Sequence, residues 1–182
     1  MDDFVNTIDL LGEEATAAAI IGRTITEFND NAIIEIGDSA FYNCDKLTRI
    51  DLPKVTKLAG SAFRGCKTLT SVSIPNVTDI GGAVFMDCHE LSILDLPSAT
   101  TIGNRCFSSC KKLTTLILRV NQVCALGDAY VFQYSPFNTV GSGATLYVYQ
   151  EFVEDYKNAT NWSSLYSAGK CNIVAIEGSE YE

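Results

Sequence analysis

A repeat of 22 residues constrains the fold of this chain more than any other feature of its sequence. Columns of similar apolar residues recur at this spacing in four consecutive copies between residues 36 and 123. One repeat is too short to bury its own apolar residues, so successive copies must stack into an elongated array. The columns predicted to form the core ladder are Phe41, Phe63, Phe85 and Phe107 together with Cys44, Cys66, Cys88 and Cys110.

Each copy contains one short strand and one short turn. Leu47, Ile50 and Leu52 follow the pattern L-x-x-L-x-L, and the alternation from Ile50 to Leu52 is strand spacing. Pro53 follows and should end the strand, because it cannot donate a ladder hydrogen bond. The segment 38–41 predicts a short helical or 3-10 turn. The predicted fold is an α/β solenoid, a right-handed coil with a parallel sheet along one face.

The repeat also divides the chain, which we expect to form one structural domain. Ile25 and Phe28 fall in the columns of later copies, so residues 1–35 should be an acidic N-terminal cap with a degenerate first coil. Residues 36–123 form the four regular copies. Residues 124–182 should be a C-terminal cap of strand plus helix, with the last five residues loose.

Charge excludes one class of partner for the chain as a whole. The chain has 13 Lys and Arg against 22 Asp and Glu, a net charge of -9. We therefore expect no nucleic-acid partner, since phosphate binding needs a basic footprint. We also expect no membrane span, because no apolar run approaches about 20 residues. The start of the chain lacks the pattern of a secretory signal. A basic group on the first coils is the exception to the acidic balance: Arg49, Lys54, Lys57, Arg64 and Lys67.

The repeat unit resembles the BspA-like leucine-rich repeats of bacterial surface proteins. The resemblance lies in Ile36-Gly37, Ala40-Phe41, Cys44, Leu47, Ile50 and Leu52-Pro53 and their copies. The fourth copy departs from it at Cys106 and Arg119. The string from Leu116 to Ser163 resembles the terminal cap of such proteins from gut bacteria and their prophages. The resemblance implies a leucine-rich-repeat solenoid, no known enzymatic activity, and a role in binding or adhesion at the cell surface or after secretion.

The outward positions of the strands form the first candidate site. In an L-x-x-L-x-L strand the residues between the apolar positions face solvent on the concave side of the array. Ile93 and Ile117 are predicted to be exposed there, either as part of a binding face or as ordinary strand surface. The predicted concave face consists of Arg49, Asp51, Ser71, Ser73, Ile93, Asp95, Thr115 and Ile117.

Aromatic residues near the C-terminus form the second candidate site. Seven of the eight tyrosines follow residue 123. A helix near residues 150–159 could place several of them in the core of the cap, or an aromatic patch could hold a carbohydrate or protein. The residues of this candidate aromatic patch are Tyr147, Tyr149, Tyr156 and Trp162.

No catalytic, metal or cofactor site is predicted. The cysteine column should consist of buried, reduced thiols, and no C-x-x-C pair is present for a metal. Cys88 should face inward, away from its neighbour His89 in a loop, so the two form no catalytic pair.

Two functions therefore remain. The first is a non-enzymatic module that binds a protein or a glycan. The second is a structural component of a prophage-encoded or cell-surface assembly.

Overall fold

The computed structural model describes residues 25–182 and the backbone of Thr7–Ile8. Most of the predicted N-terminal cap, including the acidic residues before residue 25, lies outside the described residues. From residue 25 onwards the chain winds in coils that repeat the same elements, and each coil carries two short strands on different sides. The predicted leucine-rich-repeat solenoid with parallel sheets and short helices is confirmed.

Two strands per coil build three parallel sheets among the described residues. One side of the coils carries two-residue strands in a six-stranded sheet: β1 Thr7–Ile8, β3 Glu35–Ile36, β5 Lys57–Leu58, β7 Asp79–Ile80, β9 Thr101–Ile102 and β11 Ala125–Leu126. The predicted concave face carries the longer strands: β2 Glu27–Asn29, β4 Arg49–Asp51, β6 Ser71–Ser73, β8 Ile93–Leu96, β10 Thr115–Leu118, β12 Thr145–Val148 and β13 Asn172–Ala175. The sequence predicted a single sheet, because two-residue strands have no alternating pattern.

The concave face is divided into two sheets by a seam. Strands β2, β4 and β6 form one sheet, and β8, β10, β12 and β13 form the other. Across the seam between β6 and β8 the coils stay joined on their other sides. The amide of Phe63 donates to the carbonyl of Val84 at 3.0 Å on the turn side, and β5 pairs with β7. The seam is therefore an interruption of strand pairing on the concave face only.

Stacked phenylalanine rings form the spine of the core. Phe63 lies between Phe41 and Phe85, with ring centroids 5.1 and 5.8 Å away. The spine continues through Phe107 and then, beyond the regular copies, through Phe132 and Phe137, and Phe28 precedes it. The predicted Phe ladder is confirmed. The register of Phe28 opposite Ile50 confirms the column assigned to it.

The cysteine column packs beside the phenylalanine spine. The Cys66 thiol donates to the carbonyl of Phe41 at 3.2 Å, and Cys88 and Cys110 repeat this contact with Phe63 and Phe85. All seven cysteines of the chain are buried. The inward orientation predicted for Cys44, Cys66, Cys88 and Cys110 is confirmed, whereas their redox state stays a prediction.

Two short helices close the C-terminal end. A 3-10 turn at Gln150–Phe152 leads into helix α1, Val153–Asn158, and α2 follows at Trp162–Ser167. Another 3-10 turn covers Pro136–Asn138. The chain then returns to the concave face as β13. The helix expected near residues 150–159 is thus present.

Candidate binding surface

The concave residues of the C-terminal half lie side by side in two rows. Strand register places Ile93 beside Thr115 and Asp95 beside Ile117. The rows continue onto β12, where Thr145 and Tyr147 take the equivalent positions. In the N-terminal half the register places Arg49 beside Ser71 and Asp51 beside Ser73. The structure therefore brings the predicted concave residues together in two groups of four, separated by the seam.

Ile117 corrects the expectation that two isoleucines are exposed on this face. Ile93 is 48% exposed, but Ile117 is only 2% exposed. Ile117 still points away from the main core, since Leu116 and Leu118 on either side face inward. Another segment of the chain must therefore cover it.

The covering segment is the C-terminal tail, residues 178–182, which we expected to be loose. The Tyr181 ring meets Tyr147 edge-on, with centroids 4.8 Å apart. The main-chain carbonyl of Tyr181 accepts a hydrogen bond from Nη2 of Arg119 at 2.7 Å. These contacts tie the tail to Tyr147 on β12 and to Arg119, which directly follows β10.

Arg119 makes contacts that the repeat pattern does not predict. It occupies the column in which earlier copies have Pro. In the structure its Nε donates to Asp95 Oδ2 at 3.1 Å while its Nη2 holds the tail. The other carboxylate oxygen of Asp95, Oδ1, is buried and has no hydrogen-bond partner among the described residues. A basic residue in a proline column was the only sequence signal for this cluster.

The candidate aromatic patch does not form a continuous surface. Tyr156 and Trp162 are fully buried, so the prediction that they could contact a ligand is wrong. The amide of Cys124 donates to the Tyr156 hydroxyl at 2.8 Å, and Nε1 of Trp162 donates to the carbonyl of Cys124 at 2.8 Å. Burial raises the pKa of Tyr156. These two aromatics clamp the last coil because the cap must satisfy its polar backbone as well as its apolar core.

Tyr147 and Tyr149 remain partly exposed. Tyr147 lies under the ring of Tyr181. Tyr149 lines an open cavity of about 420 Å³ together with Asn121, Gln150, Glu151 and Glu177. The cavity is lined by two carboxylates and no basic residue, so it is poorly suited to an anion.

The basic residues of the first coils do not form one patch. Arg49 lies on the concave strand β4, whereas Lys57 lies on β5 in the six-stranded sheet. Arg64 lies on the turn side, 3.8 Å from Asp87 and with its guanidinium 5.7 Å from the Tyr42 ring centroid. The basic group is therefore distributed around the coil and partly neutralised.

The candidate catalytic pair is not assembled as a nucleophile. Burial raises the pKa of the Cys88 thiol, which keeps it protonated, while His89 is half-buried. In the part of the chain that the structure describes, no group of three His, Cys, Asp or Glu side chains is placed to hold a metal ion. No helix among the same residues is long and apolar enough to cross a membrane.

Comparison with protein families finds one match that covers most of the chain. Residues 24–151 match the sequence model of the BspA type leucine rich repeat region, in six copies. The matched residues extend beyond the four regular copies at residues 36–123 on both sides, in agreement with strands β2 and β12 continuing the concave rows. Comparison with curated proteins finds no significant match.

Solved structures of bacterial proteins share this fold. A leucine rich cell surface protein from Faecalibacterium prausnitzii is 26% identical over 84% of this chain, with a TM-score of 0.56. The leucine rich repeat protein of T. pallidum is 23% identical over 67% of the chain, with a TM-score of 0.57. One from Bacteroides ovatus is 20% identical over 85%, with a TM-score of 0.52. The chain spans 39%, 58% and 43% of these three proteins, respectively.

Proposed function

Because the chain belongs to the BspA-type leucine-rich repeat family, we propose that it is a non-enzymatic binding module that acts at a bacterial cell surface. Members of this family and their structural neighbours are typically non-enzymatic binding proteins. The similar protein from F. prausnitzii is a cell surface protein, which supports the location. The partner is a protein or a glycan, and it contacts the concave face.

One observation carries this proposal. The C-terminal half of the concave face places an exposed apolar side chain, a charged pair and an aromatic ring in adjacent registered positions. These are Ile93, the Asp95–Arg119 pair and Tyr147. Arg and Tyr are enriched among residues that dominate binding energy, and an exposed Ile beside them adds apolar area. The N-terminal half offers mainly small polar residues.

The test compares two substitutions of exposed β-branched residues. Ile93→Glu places a charge on the concave face, and Val140→Glu places one in a loop where Val140 is 68% exposed. Both variants and the parent are applied to an array of glycans and an array of purified secreted and surface proteins. We expect the partner retained by the parent to bind Ile93→Glu at least tenfold more weakly and Val140→Glu unchanged.

Two outcomes would contradict the proposal. Equal loss of binding in both variants would place the site elsewhere. If neither array retains the parent or a Tyr181→Ala variant, in which Tyr147 is not covered by the Tyr181 ring, the alternative of a structural component of a prophage-encoded or cell-surface assembly would be favoured.

A further inference from the structure

The tail covers Ile117 with the contacts of a bound peptide. Tyr181 contacts Arg119, which lies two residues after Ile117, and Tyr147, which lies beside Ile117 on β12. A residue that contacts these two positions at once lies against Ile117. This explains why Ile117 is buried while Ile93, on the neighbouring strand, is not.

The contacts themselves have the chemistry of peptide recognition. One is to the main chain, from Arg119 to the carbonyl of Tyr181. The other is an aromatic anchor, because the Tyr181 ring lies edge-on against Tyr147 with an interplanar angle of 66°. The Glu180–Tyr181 segment forms a turn, in which the Glu182 amide donates to the carbonyl of Ser179 at 3.4 Å. One main-chain hydrogen bond and one side-chain anchor therefore hold this turn on the surface.

One polar group of this surface is left unused by the tail. Asp95 binds Arg119 through Oδ2, but its buried Oδ1 has no hydrogen-bond partner among the residues described. The Asp95 side chain as a whole is 41% exposed, so it lies at the solvent-accessible edge of this surface. A peptide that brings an N–H or O–H group to Asp95 would therefore make a contact that the tail does not make.

We propose that Asp95, Thr115, Ile117, Arg119 and Tyr147 form a peptide-recognition groove that the Glu180–Tyr181 segment of the same chain occupies. The partner class is a peptide that presents an aromatic side chain from a turn, and it must displace Tyr181 to bind. This inference rests on the proposed function, since it names the partner class and the regulation of the same concave face.

The experiment uses the full chain and a peptide of its own sequence. Glu-Gly-Ser-Glu-Tyr-Glu, the sequence of residues 177–182, is titrated into the parent and into Tyr181→Ala while the amide NMR signals of β10 are followed. A short tether gives the tail an effective concentration on the order of mM, so the titration extends to about 5 mM. We expect Tyr181→Ala to bind with shifts in β10 signals and the parent to bind at least tenfold more weakly.

Matched variants separate recognition from a loss of folding. Tyr181→Phe keeps the aromatic anchor and should stay closed like the parent. Tyr134→Ala removes a tyrosine that is 73% exposed in another coil and should also stay closed. In the Tyr181→Ala background, Arg119→Ala should abolish peptide binding, and the same peptide with Ala in place of Tyr should not bind.

The proposal is overturned if the parent and Tyr181→Ala bind the peptide equally, or if Tyr181→Ala shows no β10 shifts up to that concentration. Binding of a glycan from the array by Tyr181→Ala, without binding of the peptide, would make the groove a glycan site and would also overturn it. Because the peptide comes from the chain itself, a negative result here leaves the array experiment on the parent fully informative.

Discussion

At the scale of single residues, the distance between coils decides what each position tolerates. Gly81 and Gly103 occupy the same column in successive copies, and their backbones stack against the coil before. A Cβ atom at Gly103 would lie 2.5 Å from the carbonyl carbon of Gly81 and 2.6 Å from the amide nitrogen of Gly82. Backbone atoms cannot move aside as a flexible side chain can, so position 103 requires glycine.

Gly103→Ala should destabilise the chain by about 1–3 kcal/mol, the usual cost of overpacking a rigid site. Gly82→Ala is the control, since its Cβ would meet nothing closer than the Asn104 carbonyl oxygen at 3.5 Å. Urea unfolding followed by circular dichroism measures both free energies. Equal midpoints for the two variants would show that the coils can separate at Gly103 without cost.

The buried thiols should make the folded chain less stable as the pH becomes alkaline. Burial raises the pKa of Cys106 and Cys124 to about 12 and that of Cys171 to about 11. In the unfolded chain a thiol ionises near a pKa of about 8.5. A group whose pKa is higher in the folded state stabilises that state fully at pH values below its unfolded-state pKa. This contribution is lost as the pH rises from the unfolded-state pKa through the folded-state pKa.

The free energy of unfolding should therefore fall by at least about 2 kcal/mol between pH 7.5 and 10, each thiol contributing at most about 1.4 kcal/mol per pH unit. Urea titrations at a series of pH values measure it. Cys171→Ala is the control variant and should show a shallower decrease. A free energy that stays constant over this range would mean that the thiols ionise in the folded chain.

At the scale of elements, each coil is stable only through the coils on either side. The rings of Phe41, Phe63 and Phe85 are nearly parallel, with interplanar angles of 10° and 8°. This regular spacing was predictable, because residues 22 apart occupy equivalent places in adjacent coils. The cap elements were less predictable. Tyr156 and Trp162 are buried and form hydrogen bonds with Cys124, which lies 32 and 38 positions before them, respectively. No periodic pattern in the sequence connects residues at these separations.

Phe63→Ala should cost about 3–5 kcal/mol, because it leaves a cavity in the middle of the spine. Tyr134→Ala removes an aromatic side chain of similar size that is 73% exposed, and it should change the free energy by less than about 0.5 kcal/mol. Thermal and urea unfolding of both variants measure the difference. A Phe63→Ala variant that melts with the parent would show that the spine does not carry the stability of the array.

At the scale of the whole molecule, the seam between β6 and β8 interrupts strand pairing on the concave face of the described coils. The amide of Leu52 donates to Ser73 at 2.9 Å across β4 and β6, and that of Thr115 donates to Ser92 at 3.2 Å across β8 and β10. Strands β6 and β8 are not paired in this way. All three residues of β6 are half-buried, which is consistent with an opening beside it.

Hydrogen exchange should detect the seam in solution. The amides of Ile74 and Ile93 occupy the positions equivalent to Leu52 and Thr115 and should exchange at least tenfold faster than these two. Amide exchange measured residue by residue by NMR provides all four rates within one molecule, so Leu52 and Thr115 serve as internal controls. Equal protection of the four amides would mean that the concave strands pair continuously across the seam.

The sequence by itself determined the parts of this protein that repeat. The strand positions, the Phe spine, the inward thiols and the family follow from the 22-residue period, since neighbouring coils are the only environment these residues have. Tertiary structure alone decided the second sheet, the seam, the burial of Tyr156 and Trp162, and the tail over Ile117. The physical reason is that these features depend on contacts between segments with no common period, such as Arg119 with Tyr181, 62 residues apart.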